Sequence, residues 1–283
     1  MAQPQLSWSP LRYIESMIER GEPGFDVWFA QARDLGLHFL EMHFRVPPSR
    51  DRQALVDLRR KMEHYGLRLS QFICTPDFTH PDRAVREAQW ELMQANVEVA
   101  RLLNAVGCRV TAGCVYEGVS PEQGIEWASE YLSRLGDYAE ARGLRLGFEN
   151  HYRDRYYGPN EDFCFHAETY LAVFDRIKDT PVGVNFDCSN QLMIHEDPLA
   201  VLEVVKHKVW HVHASDRLPG SYQHSVIGEG AVDFDALFRV LADIGYSGYI
   251  SLEDGSPEGD EGTRRGLAFL RRKVAEHWGE RGK

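Results

Sequence analysis

Short apolar runs alternate with longer amphipathic segments along most of the chain. Strand-like runs occupy one weak segment, 5–9, and seven clear ones: 37–44, 67–74, 108–113, 144–151, 182–188, 209–215 and 249–253. Helix-like segments lie between them, most clearly over 83–105, where Trp90, Met93 and Val97 recur at helical spacing. This regular order of strand and helix predicts a parallel sheet built from βα units.

Glycine and proline mark the ends of the predicted helices. Four glycines stand just before a strand-like run, where a helix C-cap is expected: Gly36, Gly66, Gly107 and Gly143. At the other end of a helix, Ser120 before Pro121 has the sequence of an N-cap followed by a first helical residue. These signals support the same division of the chain into βα units.

Eight βα units in 283 residues match a closed (β/α)8 barrel. The predicted fold is therefore α/β, a single TIM-barrel domain over residues 1–283. A doubly wound open sheet is the alternative, and it is less favoured because no glycine-rich dinucleotide loop follows an early strand. The segment 256–262, rich in glycine and acidic residues, is interpreted as a loop after the last strand.

Four of the strand-like runs carry a side chain able to bind a metal ion near their C-terminal end: Glu149, Asp187, His213 and Glu253. Charge inside an apolar strand is unfavourable, so its repetition indicates a shared function. Strand alternation directs Phe148, Phe186 and Leu252 toward the helices and the four polar groups toward the barrel interior. Active sites of such barrels form at the C-terminal strand ends. Two Glu, one Asp and one His suit a divalent cation with positions open for a substrate.

Composition limits the classes of partner and the compartment. The net charge of −11 argues against a nucleic-acid partner, for which a basic surface is expected. The five cysteines are widely spaced and form no C-x-x-C pair, which favours a reducing cytoplasm over a disulfide framework. The N-terminal residues show no signal-peptide pattern, and no apolar run reaches the roughly 18 residues of a membrane span. We therefore expect a cytoplasmic protein without membrane contact.

The polar strand ends lie in longer segments that are specific as an ordered set. These segments are Gly-Phe-Glu-Asn-His (147–151), Val-Gly-Val-Asn-Phe-Asp (182–187), His-Val-His-Ala-Ser-Asp-Arg (211–217) and Ile-Gly-Glu-Gly-Ala-Val-Asp-Phe (227–234), continued by 243–253. Together they resemble the sugar isomerases and epimerases with a xylose-isomerase-like barrel, the superfamily of ketose 3-epimerases, inosose dehydratases and endonuclease IV. The resemblance covers nearly the whole chain.

This resemblance implies a metal centre and an acid/base pair. Glu149, Asp187, His213 and Glu253 would hold one divalent cation, which we expect to be Mn²⁺, with Mg²⁺, Co²⁺ or Zn²⁺ as alternatives. By the same resemblance Glu149 and Glu253 are paired acid/base groups and Arg217 contacts the substrate. The chemistry agrees, because moving a proton next to a carbonyl needs stabilised negative charge and a carboxylate on each face.

The predicted function is a divalent-metal-dependent isomerase or epimerase of a small sugar or keto-sugar. One alternative is a metal-dependent dehydratase acting on a keto-sugar, a keto-cyclitol or a dehydroshikimate-like substrate. Another is a non-catalytic barrel that binds a sugar-like ligand. Relatives of this barrel type commonly form dimers or tetramers, so a homodimer or homotetramer is a further expectation.

Additional polar residues near the strand ends are weaker candidates. Glu41, His43 and His151 are expected to contact substrate, and Gln71 has a similar position. His211 is expected to orient His213 or to fill the barrel, and His224 to reach the barrel mouth from a loop. For Glu41, His43 and His224 a purely structural role fits the sequence equally well.

Three positions depart from the family pattern. Asn190 stands where many relatives have a histidine, and Tyr222 stands where the nuclease has a metal-binding aspartate, which argues against a multi-zinc nuclease. Arg155 replaces a substrate-binding glutamate of the ketose 3-epimerases. Arginine suits bidentate recognition of carboxylate or phosphate, although a solvated loop position is the alternative. Asn190 and Arg155 are therefore candidate substrate contacts that leave the substrate class open.

Overall fold

A computed structural model describes residues 2–152, 161–255 and 257–279. Within these ranges eight parallel strands form one sheet in the order β1-β8-β7-β6-β5-β4-β3-β2, and β1 packs beside β2 to give a nearly closed barrel. The strands are β1 (Gln5–Ser9), β2 (Phe39–His43), β3 (Arg68–Ile73), β4 (Gly107–Val110), β5 (Arg145–Glu149), β6 (Val182–Asp187), β7 (Val209–Ala214) and β8 (Tyr249–Glu253). The predicted barrel and the weak first strand are confirmed.

Helices surround the barrel and alternate with the strands as predicted. They are α1 (Leu11–Arg20), α2 (Phe25–Asp34), α3 (Arg52–His64), α4 (Arg83–Leu102), α5 (Pro121–Glu140), α6 (Ala167–Ile177), α7 (Pro198–Val205), α8 (Phe234–Asp243) and α9 (Gly259–Trp278). Two helices, α1 and α2, separate β1 from β2. In the described residues no helix is long and apolar enough to cross a membrane.

Three of the four predicted C-cap glycines adopt the left-handed conformation: Gly36, Gly66 and Gly143. The prediction for Gly107 is wrong, because this residue opens β4 and Asn104 takes the left-handed position with φ 57°. A Cβ atom on Gly107 would lie 2.6 Å from the indole of Trp210. The Arg145 carbonyl oxygen would lie at 2.5 Å, so the glycine allows close approach of both β5 and the tryptophan.

The predicted helix start at Ser120 is confirmed. The Ser120 hydroxyl accepts a hydrogen bond from the Gln123 backbone N–H, and the Gln123 side chain accepts one from the Ser120 N–H. With Pro121 as first helical residue, this reciprocal pair satisfies backbone donors that α5 cannot pair internally.

The two faces of the strands differ sharply in polarity. Phe148, Phe186 and Val212 are fully buried against the helices. The barrel interior instead contains buried polar side chains, among them Ser7, Ser70, Gln71, Asn185 and His211. Buried polar groups are costly unless they are hydrogen-bonded. A connected polar interior therefore lies directly beneath the C-terminal strand ends.

Candidate metal centre and active site

The four candidate ligands meet at the C-terminal ends of adjacent strands. Glu149, Asp187 and Glu253 are the last residues of β5, β6 and β8, and His213 lies one residue before the end of β7. Ligand atoms of Glu149, Asp187 and His213, all buried, lie within 4.8 Å of one another. Glu253 Oε1 is 3.5 Å from His213 Nδ1. The convergence expected from strand alternation is present in the structure.

The site concentrates negative charge around one imidazole. Burial, together with the nearby carboxylates of Asp187 and Glu149, raises the pKa of Glu253 to about 8, against the opposing effect of His213. Burial lowers the pKa of His213, but the surrounding carboxylates of Glu41, Glu149 and Glu253 more than offset it and raise that pKa well above its usual value. The carboxylates of Glu149, Asp187 and Glu253, together with the His213 imidazole, form a donor set that fits a divalent cation.

Asp187 is held in place by its own turn and by the residue that follows β7. The backbone N–H groups of Ser189 and Asn190 donate to Asp187 Oδ1 at 2.8 and 2.7 Å. The Ser215 hydroxyl donates to Oδ2 at 2.8 Å. Asn150 bonds both backbone groups of Asp187, accepting from its N–H at 2.8 Å and donating to its carbonyl at 3.0 Å. Asn150 thus joins the ends of β5 and β6 and leaves the aspartate oriented.

Glu41 lies below the ligands, although the sequence suggested a substrate contact. It is fully buried, and its Oε2 is 2.9 Å from His213 Nε2. Its Oε1 is 3.3 Å from His211 Nε2. His211 is in turn 2.8 Å from Asn185 Oδ1 through its Nδ1, and burial lowers the pKa of His211 to about 3. Glu41 and His211 therefore form a floor beneath His213.

Arg109 is a site residue that the sequence reasoning missed. It lies on β4, is almost fully buried, and its guanidinium pairs with Glu149 through two nitrogens. Burial alone would raise the pKa of Glu149, but Arg109 and His213 hold it well below its usual range. A charged residue inside an apolar strand-like run is the feature that indicated Glu149. Arg109 has the same feature in the run 108–113.

A cavity of about 400 Å³ opens above the candidate ligands. Several of the predicted contacts line it: His43, His151, Asn190, His213, His224 and Glu253. His151 follows the end of β5 and its Nδ1 is 3.0 Å from Asp162 Oδ2. The volume is within the range of small-molecule sites. Arg155, the other predicted contact, lies outside the described residues.

Comparison with known proteins identifies the family. Residues 29–273 match the family model described as the xylose isomerase-like TIM barrel. The chain belongs to this family. The resemblance seen in the sequence is thereby confirmed.

Individual relatives of this chain are distant in sequence. An inosose dehydratase of Clostridium perfringens is 23% identical over 226 residues, which cover 69% of this chain and 70% of that protein. A ketose 3-epimerase of Arthrobacter globiformis is 24% identical over 234 residues, covering 80% and 76%. The solved structure of the IOLI protein with a zinc atom has a TM-score of 0.78 at 16% identity, covering 96% and 99%. That structural likeness supports the fold.

In this xylose isomerase-like barrel, Arg217 stands behind the cavity wall. It is fully buried and donates to Ser189 Oγ at 2.8 Å, to Asn190 Oδ1 at 3.3 Å and to His224 Nε2 at 3.0 Å. Its guanidinium also lies 4.9 Å from the ring centre of Tyr152, which lines the cavity. Arg217 therefore holds three cavity-lining side chains, a position different from the direct substrate contact expected from the sequence.

Proposed function

We propose that this protein is a divalent-metal-dependent isomerase or epimerase of a small sugar or keto-sugar. The observation that carries the proposal is the convergence of Glu149, Asp187, His213 and Glu253 below a cavity of substrate size. The ketose 3-epimerase among the relatives supports the reaction class.

The donor set supports one cation, which we take to be Mn²⁺, with Mg²⁺, Co²⁺ and Zn²⁺ as alternatives. Glu149, Asp187, His213 and Glu253 would be its ligands. Bound there, the cation would polarise a substrate carbonyl and stabilise the enediolate formed beside it.

The chain supplies the proton transfer through two carboxyl groups in different surroundings. Glu253 lines the cavity and can accept the proton from the carbon next to the carbonyl, leaving the electron pair on the enediolate. Glu149, kept ionised by Arg109, provides the second carboxylate of the pair. Return of that proton from Glu253 to the neighbouring carbon, with the hydroxyl proton passing to the former carbonyl oxygen, isomerises the sugar. Epimerisation uses both groups: ionised Glu149 takes the proton from one face of the carbon, and protonated Glu253 supplies a proton to the opposite face.

Substrate turnover in D₂O tests this assignment. Wild-type protein loaded with Mn²⁺ is incubated with a panel of ketoses, sugar acids and sugar phosphates, and products are followed by NMR and mass spectrometry. We expect deuterium incorporation with a mass increase of one unit, and loss of turnover in Glu149→Gln and in Glu253→Gln. The surface variant Glu98→Gln, on α4, is the matched control. Wild-type rates in either site variant would refute the assignment.

A dehydratase is the second candidate function. It is favoured by the inosose dehydratase among the relatives, which matches over most of this chain. The same carboxylates would remove the α-proton, and a protonated Glu253 would assist departure of a β-hydroxyl as water. Loss of water in the D₂O experiment identifies this outcome. Protein that stays metal-free after reconstitution and binds a sugar without turnover would instead indicate a non-catalytic barrel.

A further inference from the structure

Glu41 is a buried carboxylate without contact to the cavity. It lies on β2, and its Oε2 reaches across the barrel to His213 Nε2 on β7 at 2.9 Å. A buried carboxylate is unfavourable unless it is paired with a hydrogen-bond donor or a positive charge. Its neighbour His213 is also a candidate metal ligand. The contact therefore links the floor of the barrel to the proposed metal centre.

The two nitrogens of His213 face different groups. Nδ1 is directed toward the other candidate ligands, 2.6 Å from Glu149 Oε1 and 3.5 Å from Glu253 Oε1. Nε2 is directed toward Glu41. Both nitrogens thus face a carboxylate, which only accepts hydrogen bonds. With a cation bound, Nδ1 must give up its hydrogen to act as a ligand, and the remaining hydrogen belongs on Nε2, facing Glu41. In a neutral ring this leaves the Nδ1 lone pair directed at the ligand cluster.

The contacts of Asn185 agree with the same tautomer. Its Nδ2 donates to Glu149 Oε1 at 2.8 Å, which fixes the orientation of the amide because the carboxylate has no hydrogen to give. The same Nδ2 lies 3.2 Å from His213 Nδ1. An amide N–H pairs with a nitrogen lone pair and not with a second N–H. Asn185 is therefore compatible with an unprotonated Nδ1.

We propose that Glu41 is the positioning residue that holds His213 in the Nε2–H tautomer with Nδ1 aimed at the cation. The inference rests on the proposed metal centre. Histidines that ligate metals commonly donate their other N–H to a carboxylate, and loss of that partner typically weakens metal binding by about 10- to 100-fold. Glu41 thus acts through His213 and touches neither cation nor substrate.

Calorimetric titration of metal-free protein with Mn²⁺ tests the proposal. We expect Glu41→Gln, an isosteric change, to weaken Mn²⁺ binding by about 10-fold or more. Ser7→Ala is the matched control, because Ser7 is buried in the same interior and its hydroxyl bonds that of Ser70 at 2.7 Å. Its affinity should equal that of the wild type.

The titration distinguishes failure of the proposed metal centre from failure of the inference about Glu41. Wild-type protein that takes up no Mn²⁺ overturns the proposed metal centre and the inference with it. Tight binding by the wild type with equal affinity in Glu41→Gln overturns the inference alone. A second equivalent of Mn²⁺ that disappears in Glu41→Gln would make Glu41 a ligand, which also contradicts a positioning role.

A spectroscopic measurement on wild-type protein tests the proposal even if the Glu41→Gln variant does not fold. Imidazole nitrogen NMR of wild-type protein loaded with diamagnetic Mg²⁺ or Zn²⁺ reports which nitrogen of His213 carries hydrogen, with the His213→Gln variant used for assignment. We expect a protonated Nε2 and an unprotonated Nδ1. A protonated Nδ1 would overturn the proposal.

Discussion

Arg109→Met removes the guanidinium that pairs with Glu149 inside the barrel while keeping an apolar side chain of similar length. Both partners are nearly inaccessible, Arg109 at 4% and Glu149 at 1% exposure. The ion pair is therefore little screened by solvent, unlike the surface pairs on the helices. The variant leaves a buried carboxylate that has lost its countercharge.

The expected loss follows from what still contacts Glu149. Removing one partner of a buried ion pair typically costs about 3–5 kcal/mol. Asn185 Nδ2 at 2.8 Å and His213 Nδ1 at 2.6 Å remain beside the carboxylate, which favours the lower end of that range. We expect a decrease of about 3 kcal/mol in the free energy of unfolding, or roughly 6–12 °C in melting temperature.

Urea unfolding in the presence of EDTA measures this loss without metal binding. Arg109→Met, Glu149→Gln and the double variant complete a thermodynamic cycle, and the double variant should regain stability relative to Arg109→Met because no buried charge remains. Lys178→Met is the control, since Lys178 pairs with Asp175 on the surface and should change stability by no more than about 0.5 kcal/mol. A loss below about 1 kcal/mol in Arg109→Met, or no coupling in the cycle, would refute the reasoning.

Three further predictions concern pH, packing and metal. Burial, with Arg109 and Arg45, lowers the pKa of His43 from 6.5 to about 3, so unfolding takes up a proton between these values and stability falls as pH falls. Between about pH 4 and pH 5.5, His43→Gln should reduce the change of unfolding free energy with pH by ~1.4 kcal/mol per pH unit. An unchanged pH dependence would contradict the lowered pKa of His43. Gly107→Ala should lose about 1–3 kcal/mol in urea unfolding, because its Cβ would meet the Arg145 carbonyl oxygen and Trp210. Gly24→Ala, with open space around it at the N-cap of α2, should lose less than about 1 kcal/mol. Mn²⁺ at 100 times its dissociation constant should stabilise the protein by about 2.7 kcal/mol in thermal unfolding, and EDTA should reverse the gain; an unchanged melting temperature argues against a metal centre.

The barrel could be predicted from the sequence because its units repeat. Strand alternation also directs Glu149, Asp187, His213 and Glu253 inward, and parallel strands of a barrel end at one face. Each of these inferences depends on local pattern and on the general geometry of the fold. Neither requires knowledge of which side chains touch across the barrel.

The parts that could not be predicted depend on contacts across the barrel. Gly107 resembles a helix C-cap in sequence, but its role is set by Trp210, which is distant along the chain. Glu41 and Arg109 were misjudged or missed for the same reason, since their partners His213 and Glu149 lie on other strands. A polar residue near a strand end can face the cavity or the floor, and alternation alone does not distinguish the two.

The two halves of the chain supply residues with different roles to the candidate site. The candidate ligands all lie on β5 to β8, whereas Glu41 and Arg109 come from β2 and β4. A fragment that began at β5 would carry the full ligand set without the guanidinium that balances Glu149 or the carboxylate that orients His213. Two half-barrels expressed separately should therefore recover tight metal binding only after they associate, so cation uptake would report the joining of the halves.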